Sequence, residues 1–191
     1  MILPHIYAMY ASFLIYKPYG VLSQFTSPVS GKRTLGELYK FPRDVYPIGR
    51  LDEDSEGALL LSNDPSQNKK WLGQEIEKEY WVQVEGKPDH ADLEPIRAGM
   101  TIRVKKKEFA CRPAQVELLS MPQVPERVPP IRYRARIPDT WIRLILREGK
   151  NRQVRKMTAK AGFPTLRLIR WRIGPYSVQG MLPGEVRAVR L

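Results

Sequence analysis

"GRLDEDSEGALLLSND", residues 49–64, places four carboxylates within residues 52–56 and then runs straight into Ala58-Leu59-Leu60-Leu61. The apolar run calls for burial as a core strand. Acid beside a core strand admits three readings: a solvated turn, a metal loop, or a catalytic carboxylate held where a strand enters a cleft. The metal reading fails on spacing. Asp52, Asp54, Glu56 and Gly57 fall at positions 1, 3, 5 and 6 of a calcium loop, but Asn63 stands at position 12, where a bidentate Glu is required. Tyr46-Pro47-Ile48-Gly49 is also a poor entering helix. "GKRT", residues 31–34, resembles the tail of a phosphate-binding loop, yet Thr26 stands where its first glycine should be.

Outward from this run, 191 residues with 42% hydrophobic content suffice for one domain with a real core. Seventeen prolines and thirteen glycines are scattered, which predicts many short elements and a sheet-rich architecture. Cys111 is the single cysteine, with His5 and His90 the only histidines, so neither an internal disulfide nor a zinc site is expected. The expectation is a reducing, cytoplasmic compartment and a protein with no metal and no cofactor.

The formal charge of +12 is unevenly spread: 11 Lys and Arg face 14 Asp and Glu in residues 1–99, and 21 face 6 in residues 100–191. A half carrying net +15 suits a phosphate backbone or an anionic membrane. The membrane reading lacks an amphipathic anchor. The apolar opening, "MILPHIYAMYASFLIY", has no positive flank, is broken by Pro4 and stops at Lys17 short of spanning length.

Strands are predicted over residues 13–16, 58–62, 80–85, 115–119, 141–146, 166–171 and 186–189. Helices are predicted over 34–39, 65–72, 91–98 closed by Gly99, and 151–161 closed by Gly162. The order is mixed, without regular βαβ alternation. Residues 120–130, "SMPQVPERVPP", read as an exposed loop or extended arm.

The run Gly-Arg-Leu-Asp-x-x-Ser-Glu-Gly-x-Leu-Leu-Leu-x-Asn-Asp resembles the catalytic motif of pseudouridine synthases of the RsuA/RluB/RluE/RluF branch. "YKPYGVLSQFT" (16–26) looks like the family's first motif, "KEYWVQVEG" (78–86) its second and "LREGKNRQVRKMTAKAGFPTLRLIR" (146–170) its third. In order and at family-like spacing, the set covers nearly everything from Ser12 onward, and it is similar above all to the RluE type, which lacks an N-terminal S4 RNA-binding module. Residues 1–11 are accordingly expected to be an extension, and 12–191 the catalytic domain without an S4 module.

The resemblance implies an α+β pseudouridine synthase fold, with a mixed, largely antiparallel sheet, flanking helices and a central basic cleft. It implies that Asp52 is the catalytic carboxylate, acting either as a nucleophile or by removing a sugar proton. A carboxylate shielded from water drifts towards its neutral form unless a cation is near. By resemblance that cation is Arg155, and Tyr80 stacks on the target base. Leu146 floors the uracil pocket, and Arg50 fills space or contacts the strand when the nucleotide leaves its stack. Lys78, Asn151 and Arg152 complete the substrate-binding set. Asp54 is expected to be a solvated turn carboxylate.

On the predicted helix, Val154, Met157 and Ala161 share a core face, which leaves Arg155 at its edge and turns Arg152, Lys156 and Lys160 towards phosphates. Further RNA contacts are expected from Lys105, Lys106 and Lys107 on a hairpin, from Arg132, Arg134 and Arg136 on one strand, and from Arg167, Arg170 and Arg172. The implied substrate is 23S ribosomal RNA or its assembly precursor, near the peptidyl-transferase centre. Alternatives are another rRNA site, a tRNA, or a non-catalytic ribosome-assembly factor. No protein partner is evident, no membrane is involved and a monomer is expected.

Overall fold

The computed structural model describes residues 11–27, 29–131 and 137–191. In chain order these form β1 (Ser12–Lys17), β2 (Val21–Leu22), β3 (Arg33–Thr34), a 3-10 turn (Leu35–Glu37), β4 (Tyr46–Pro47), β5 (Glu56–Ser62), α1 (Ser66–Leu72) and β6 (Lys78–Glu85). There follow α2 (Glu94–Ala98), β7 (Thr101–Val104), β8 (Lys107–Ala110), β9 (Gln115–Leu119), β10 (Asp139–Leu146), α3 (Gln153–Lys160), β11 (Thr165–Ile173), β12 (Tyr176–Ser177) and β13 (Val186–Ala188). The large sheet runs β13-β1-β5-β11-β6-β10-β9, with β4 and β12 added on β5 and β11. Among the described residues its pairings are antiparallel except β5 with β11. The expected mixed, largely antiparallel sheet is therefore found.

Every residue of β5 is buried, as its unbroken apolar run requires. Its side chains alternate between two layers. Leu59 and Leu61 pack with Ile15, Val21, Leu35 and Leu51, while Ala58 and Leu60 pack with Leu14, Tyr16, Ile169 and Trp171 on the opposite face. A third cluster sets Val154 and Met157 of α3 and Ile96 of α2 over Tyr80, Val82, Ile142 and Leu144. The register places this cluster on the same sheet face as Leu59 and Leu61, because Gly57 pairs with Arg170, Arg170 with Tyr80, and Tyr80 with Leu144. A seam thus lies between two separately packed clusters on one face, with Gly57, Arg170 and Tyr80 side by side across it.

Gly57 makes that row possible. Its φ is +103°, and a Cβ there would meet the Arg170 carbonyl oxygen at 2.2 Å. A side chain at this point would prise β5 from β11.

All four helices start later than the sequence pattern predicts, α1 by one residue and α2 by three, at Glu94. Residues 151–152 form a turn instead of helix because Arg152 adopts φ 52°, and residues 34–39 shorten to a single 3-10 turn in which Glu37 accepts from the Thr34 N–H at 2.8 Å. The expected hairpin is present between β7 and β8, with Lys105 and Lys106 at φ 47° and 68° in its turn. Residues 1–10 and the expected strand carrying Arg132, Arg134 and Arg136 lie outside the described residues. Among the described residues no helix is long and apolar enough to cross a membrane.

Candidate active site

The acidic turn is clamped from below by the first motif. The Ser55 N–H donates to the Asp52 carbonyl at 3.0 Å, closing the turn. Ser23 holds Leu51 on both sides: its Oγ donates to the Leu51 carbonyl at 2.8 Å and accepts from the Leu51 N–H at 3.0 Å. Lys17 is fully buried, and its Nζ donates to the carbonyls of Pro18 at 2.9 Å, Val21 at 2.7 Å and Glu53 at 3.5 Å. Burial draws the Lys17 pKa down to about 7, against the pull of Glu56, Asp54 and Glu53. With its backbone so tied, the turn has a fixed direction in which to present Asp52.

The arginines arrive from the turn before α3. Buried Glu148 accepts from the Arg112 N–H at 3.0 Å and from Gln153 Nε2 at 2.6 Å, and the Lys150 N–H donates to Gln153 Oε1 at 3.0 Å. That network fixes the start of the helix, and the left-handed backbone at Arg152 sends its side chain across the cleft. Arg152 grips Asp54 with two hydrogen bonds, 2.9 and 2.7 Å, and its Nη1 lies 3.5 Å from Asp52 Oδ2. Arg155, one turn later and only 13% exposed, donates from Nη2 to the Asp54 carbonyl at 2.7 Å, with Nε 3.5 Å from Asp54 Oδ2. Burial works to raise the Asp54 pKa, but the Arg152 hydrogen bonds and the charges of Arg155 and Arg152 outweigh it and hold it below the usual range. Burial lowers the Arg155 pKa, with Asp54 opposing.

The four carboxylates of the run therefore differ in commitment. Glu53 pairs with Lys32 at 2.6 Å, Asp54 with Arg152, and Glu56 with Arg167 at 2.8 and 2.7 Å. The Asp52 carboxylate accepts no hydrogen bond among the described residues; it meets Arg152 only as an ion pair, at 3.5 Å through Oδ2.

Asp52 borders a cleft of about 740 Å³, within the size range of small-molecule sites. Tyr80, Leu146, Leu168, Lys78 and Arg170 line it below, with Asn151 and Arg152 on one side and Arg50 and Lys105 towards the rim. Burial lowers the pKa of Arg170, which donates from Nε to the Ala58 carbonyl at 2.8 Å, and Tyr80 beside it offsets part of the loss. Lys78 donates to the Ile76 carbonyl at 3.0 Å, and burial followed by the Arg170 charge lowers its pKa too. Among the described residues no group of three or more His, Cys, Asp and Glu could hold a metal ion.

A family described as RNA pseudouridylate synthase matches residues 11–160. The chain belongs to that family. Ribosomal large subunit pseudouridine synthase E of Vibrio vulnificus (strain CMCP6) is 48% identical over 177 residues, spanning 92% of this chain and 73% of the relative. The protein of the same name from Xanthomonas axonopodis pv. citri (strain 306) is 46% identical over 179 residues and spans 92% of each chain. Ribosomal large subunit pseudouridine synthase B of Bacillus subtilis (strain 168) is 32% identical over 178 residues, spanning 92% of this chain and 66% of the relative. A structure described as a crystal structure of pseudouridylate synthase shares the fold at a TM-score of 0.75 and 23% identity, covering 95% of this chain and 70% of that one.

Within this family fold the residues singled out from sequence fall into three groups. Asp52, Tyr80, Leu146, Lys78, Arg50, Asn151, Arg152, Lys105 and Arg170 share the cleft. Lys106, Lys107 and Lys160 are exposed and Lys156 is half-buried. The third group requires correction. Arg167 is not a surface phosphate contact: it is 5% exposed, and its guanidinium is consumed by Glu56. Arg170 is likewise buried, beneath the cleft instead of on the surface. Arg172 is held by Glu79 at 3.1 Å and Glu77 at 3.3 Å. Arg152 is taken up by Asp54 and so is not free for phosphates, and Asp54 is no solvated turn carboxylate. Arg155, expected against Asp52, makes its close contacts to Asp54, because the chain turns at Arg152 before the helix begins. Sequence reasoning missed Leu168, the Lys17 and Ser23 clamp and the role of Asp54; "KP" in the first motif was the one available hint.

Proposed function

We propose that the chain isomerises uridine to pseudouridine at a defined position of large-subunit (23S) ribosomal RNA, near the peptidyl-transferase centre, with Asp52 as the catalytic carboxylate. The observation that carries the assignment is that Asp52, among the described residues, accepts no hydrogen bond and meets Arg152 only at 3.5 Å, in a run whose three other acids are each hydrogen-bonded by a cation. The ribosomal target is supported by relatives 44–48% identical, named as large subunit synthases. In the reaction the N1–C1′ bond breaks, the uracil turns within the cleft and C5 bonds to C1′; C5 gives up its proton and N1 gains one. No electrons are exchanged. Asp52 either attacks the ribose or base, or removes a sugar proton, while Arg152 stands 3.5 Å from it and Arg155 holds the Asp54 carbonyl beside it. Tyr80 packs on the base, Leu146 and Leu168 supply its apolar floor, and Arg50 meets the strand that the extruded nucleotide leaves.

Basic side chains around the cleft, Lys105 to Lys107 first among them, attract the phosphate backbone. The protein acts as a monomer in the cytoplasm, without a cofactor, through a single catalytic domain spanning residues 12–191. Carbodiimide mapping of pseudouridine in total RNA from cells with and without the gene tests the target. Loss of one large-subunit site supports it; an unchanged large-subunit pattern refutes it.

A further inference from the structure

A second cavity, about 850 Å³ in volume, adjoins the cleft and has no part in the chemistry above. Ser23, Gly49, Arg50 and Leu72 line both spaces and form the ridge between them. The ridge depends on Gly49, at φ +71°, where a Cβ would lie 2.6 Å from Leu72 Cδ2. Arg50 stands on it, its Nη2 donating to Gln24 Oε1 at 3.1 Å. The walls are aromatic: Phe25, Tyr39, Phe41 and Tyr46 line the cavity, with Tyr39 and Phe41 ring centroids 4.9 Å apart. Tyr39 is 45% exposed, Tyr46 64% and Leu72 52%, so these faces are open to a ligand. Lys40, Arg43 and Arg50 border it, and among the described residues no Asp or Glu lines it; neighbouring Asp44 instead accepts from Asn63 Nδ2 at 2.8 Å.

Aromatic faces under a cationic rim, without opposing acid, match a nucleobase on its phosphate backbone and mismatch a cationic or purely apolar partner. Adjacency to the cleft, across the residues that line both, selects the same strand as its source. We infer that this cavity is a second nucleotide subsite, in which a base flanking the target uridine leaves its stack and packs on Tyr39 and Tyr46. The inference rests on the reading that the neighbouring cleft takes a uridine of RNA. A flanking base held here offsets part of the unstacking that extrusion of the target requires. It would also fix the strand's direction through the cleft.

The test uses fluorescein-labelled decauridylate and an abasic ribose-phosphate decamer, titrated by anisotropy against the full chain, Y39A/Y46A and Y39F/Y46F. The alanine pair should bind decauridylate about 5- to 100-fold more weakly, the range expected from base–aromatic stacking. The phenylalanine pair should bind as the parent does, and all three should bind the abasic strand alike. Equal affinity of parent and alanine pair for decauridylate overturns the inference, as does equal weakening on the abasic strand. If decauridylate binding is unaffected and removal of residues 1–8 lowers the melting temperature as much as Y39A/Y46A does, the occupant is the chain's own first segment, and the inference falls. Pseudouridine formation in ribosomal RNA by the parent is scored separately and decides the reading beneath it.

Discussion

Glu56 and Asp54 lie two residues apart in one acidic run, and each accepts two hydrogen bonds from a single arginine, yet the two pairs do different work. Glu56 and Arg167 are 2% and 5% exposed and join β5 to β11. Asp54 and Arg152 are 35% and 40% exposed and join the turn to the start of α3. Contact distances are the same, so the surroundings decide. Breaking a buried pair strands a charge in a medium that cannot solvate it and costs about 3–5 kcal/mol, whereas an exposed pair contributes about 0–1 kcal/mol. The buried pair maintains the sheet. The exposed pair contributes little stability, and its value is positional: it aims Arg152 to stand 3.5 Å from Asp52.

The sharpest contrast is with Asp52, which belongs to neither pair. Asp52→Asn should lower tritium release from 5-tritiated uridine in target RNA by about 10²- to 10⁴-fold, the usual yield of a positioned acid or base, with an unchanged melting temperature. Near-parent release would remove Asp52 from the chemistry. Glu56→Gln is expected to do the reverse, costing about 3–5 kcal/mol in urea denaturation while the folded fraction stays active. Adding Arg167→Met should recover part of that loss, because no unpaired charge then remains buried. A loss as small as that of an exposed pair would erase the distinction.

Asp54→Asn should lie between these. Its stability cost should stay below about 1 kcal/mol, but turnover should fall by about ten- to a hundredfold, because Arg152 loses the carboxylate that aims it at Asp52, while Arg155 keeps its hydrogen bond to the Asp54 carbonyl. Combined with Arg152→Ala the losses should not add, since both changes dismantle one unit. Additive losses would mean that Asp54 acts independently of Arg152. A pH-dependent effect comes from Lys17 under the same turn. Its pKa falls from 10.5 to about 7 on folding, so the unfolded chain binds more protons between those values. Stability should therefore climb from pH 7 towards 10.5 and decline as the pH falls through about 7, and Lys17→Met should flatten that slope in denaturation curves taken across the range.

How far the site was legible followed from how local each signal was. Gly-Arg-Leu-Asp is contiguous, and its place before a buried strand follows from the apolar run alone. The period of two on β6 put Tyr80 with Val82 and Lys78 on one face. Helical periodicity likewise separated Val154 and Met157 from Arg155 and Lys156. It failed at Arg152 because a single left-handed residue ends the period on which the argument depends. Arg167 was misread for a related reason. A charged residue in an otherwise apolar strand is ordinarily solvent-facing, and nothing local announces a buried acid 111 positions away.

Sequence by itself determined the family motifs, the strands of the core and the position of Asp52 at the entry to β5. Tertiary structure decided which of the four neighbouring acids accepts no hydrogen bond among the described residues, since that choice depends on partners supplied by Lys32, Arg152 and Arg167. It also decided that Gly57, Arg170 and Tyr80 form one row, that Leu168 joins Leu146 in the cleft, and that a second cavity opens beyond Arg50. The physical reason is range. Burial, turn chemistry and periodicity are set within a few residues, whereas an ion pair between segments about a hundred positions apart depends on sheet register, which exists only once the chain has folded.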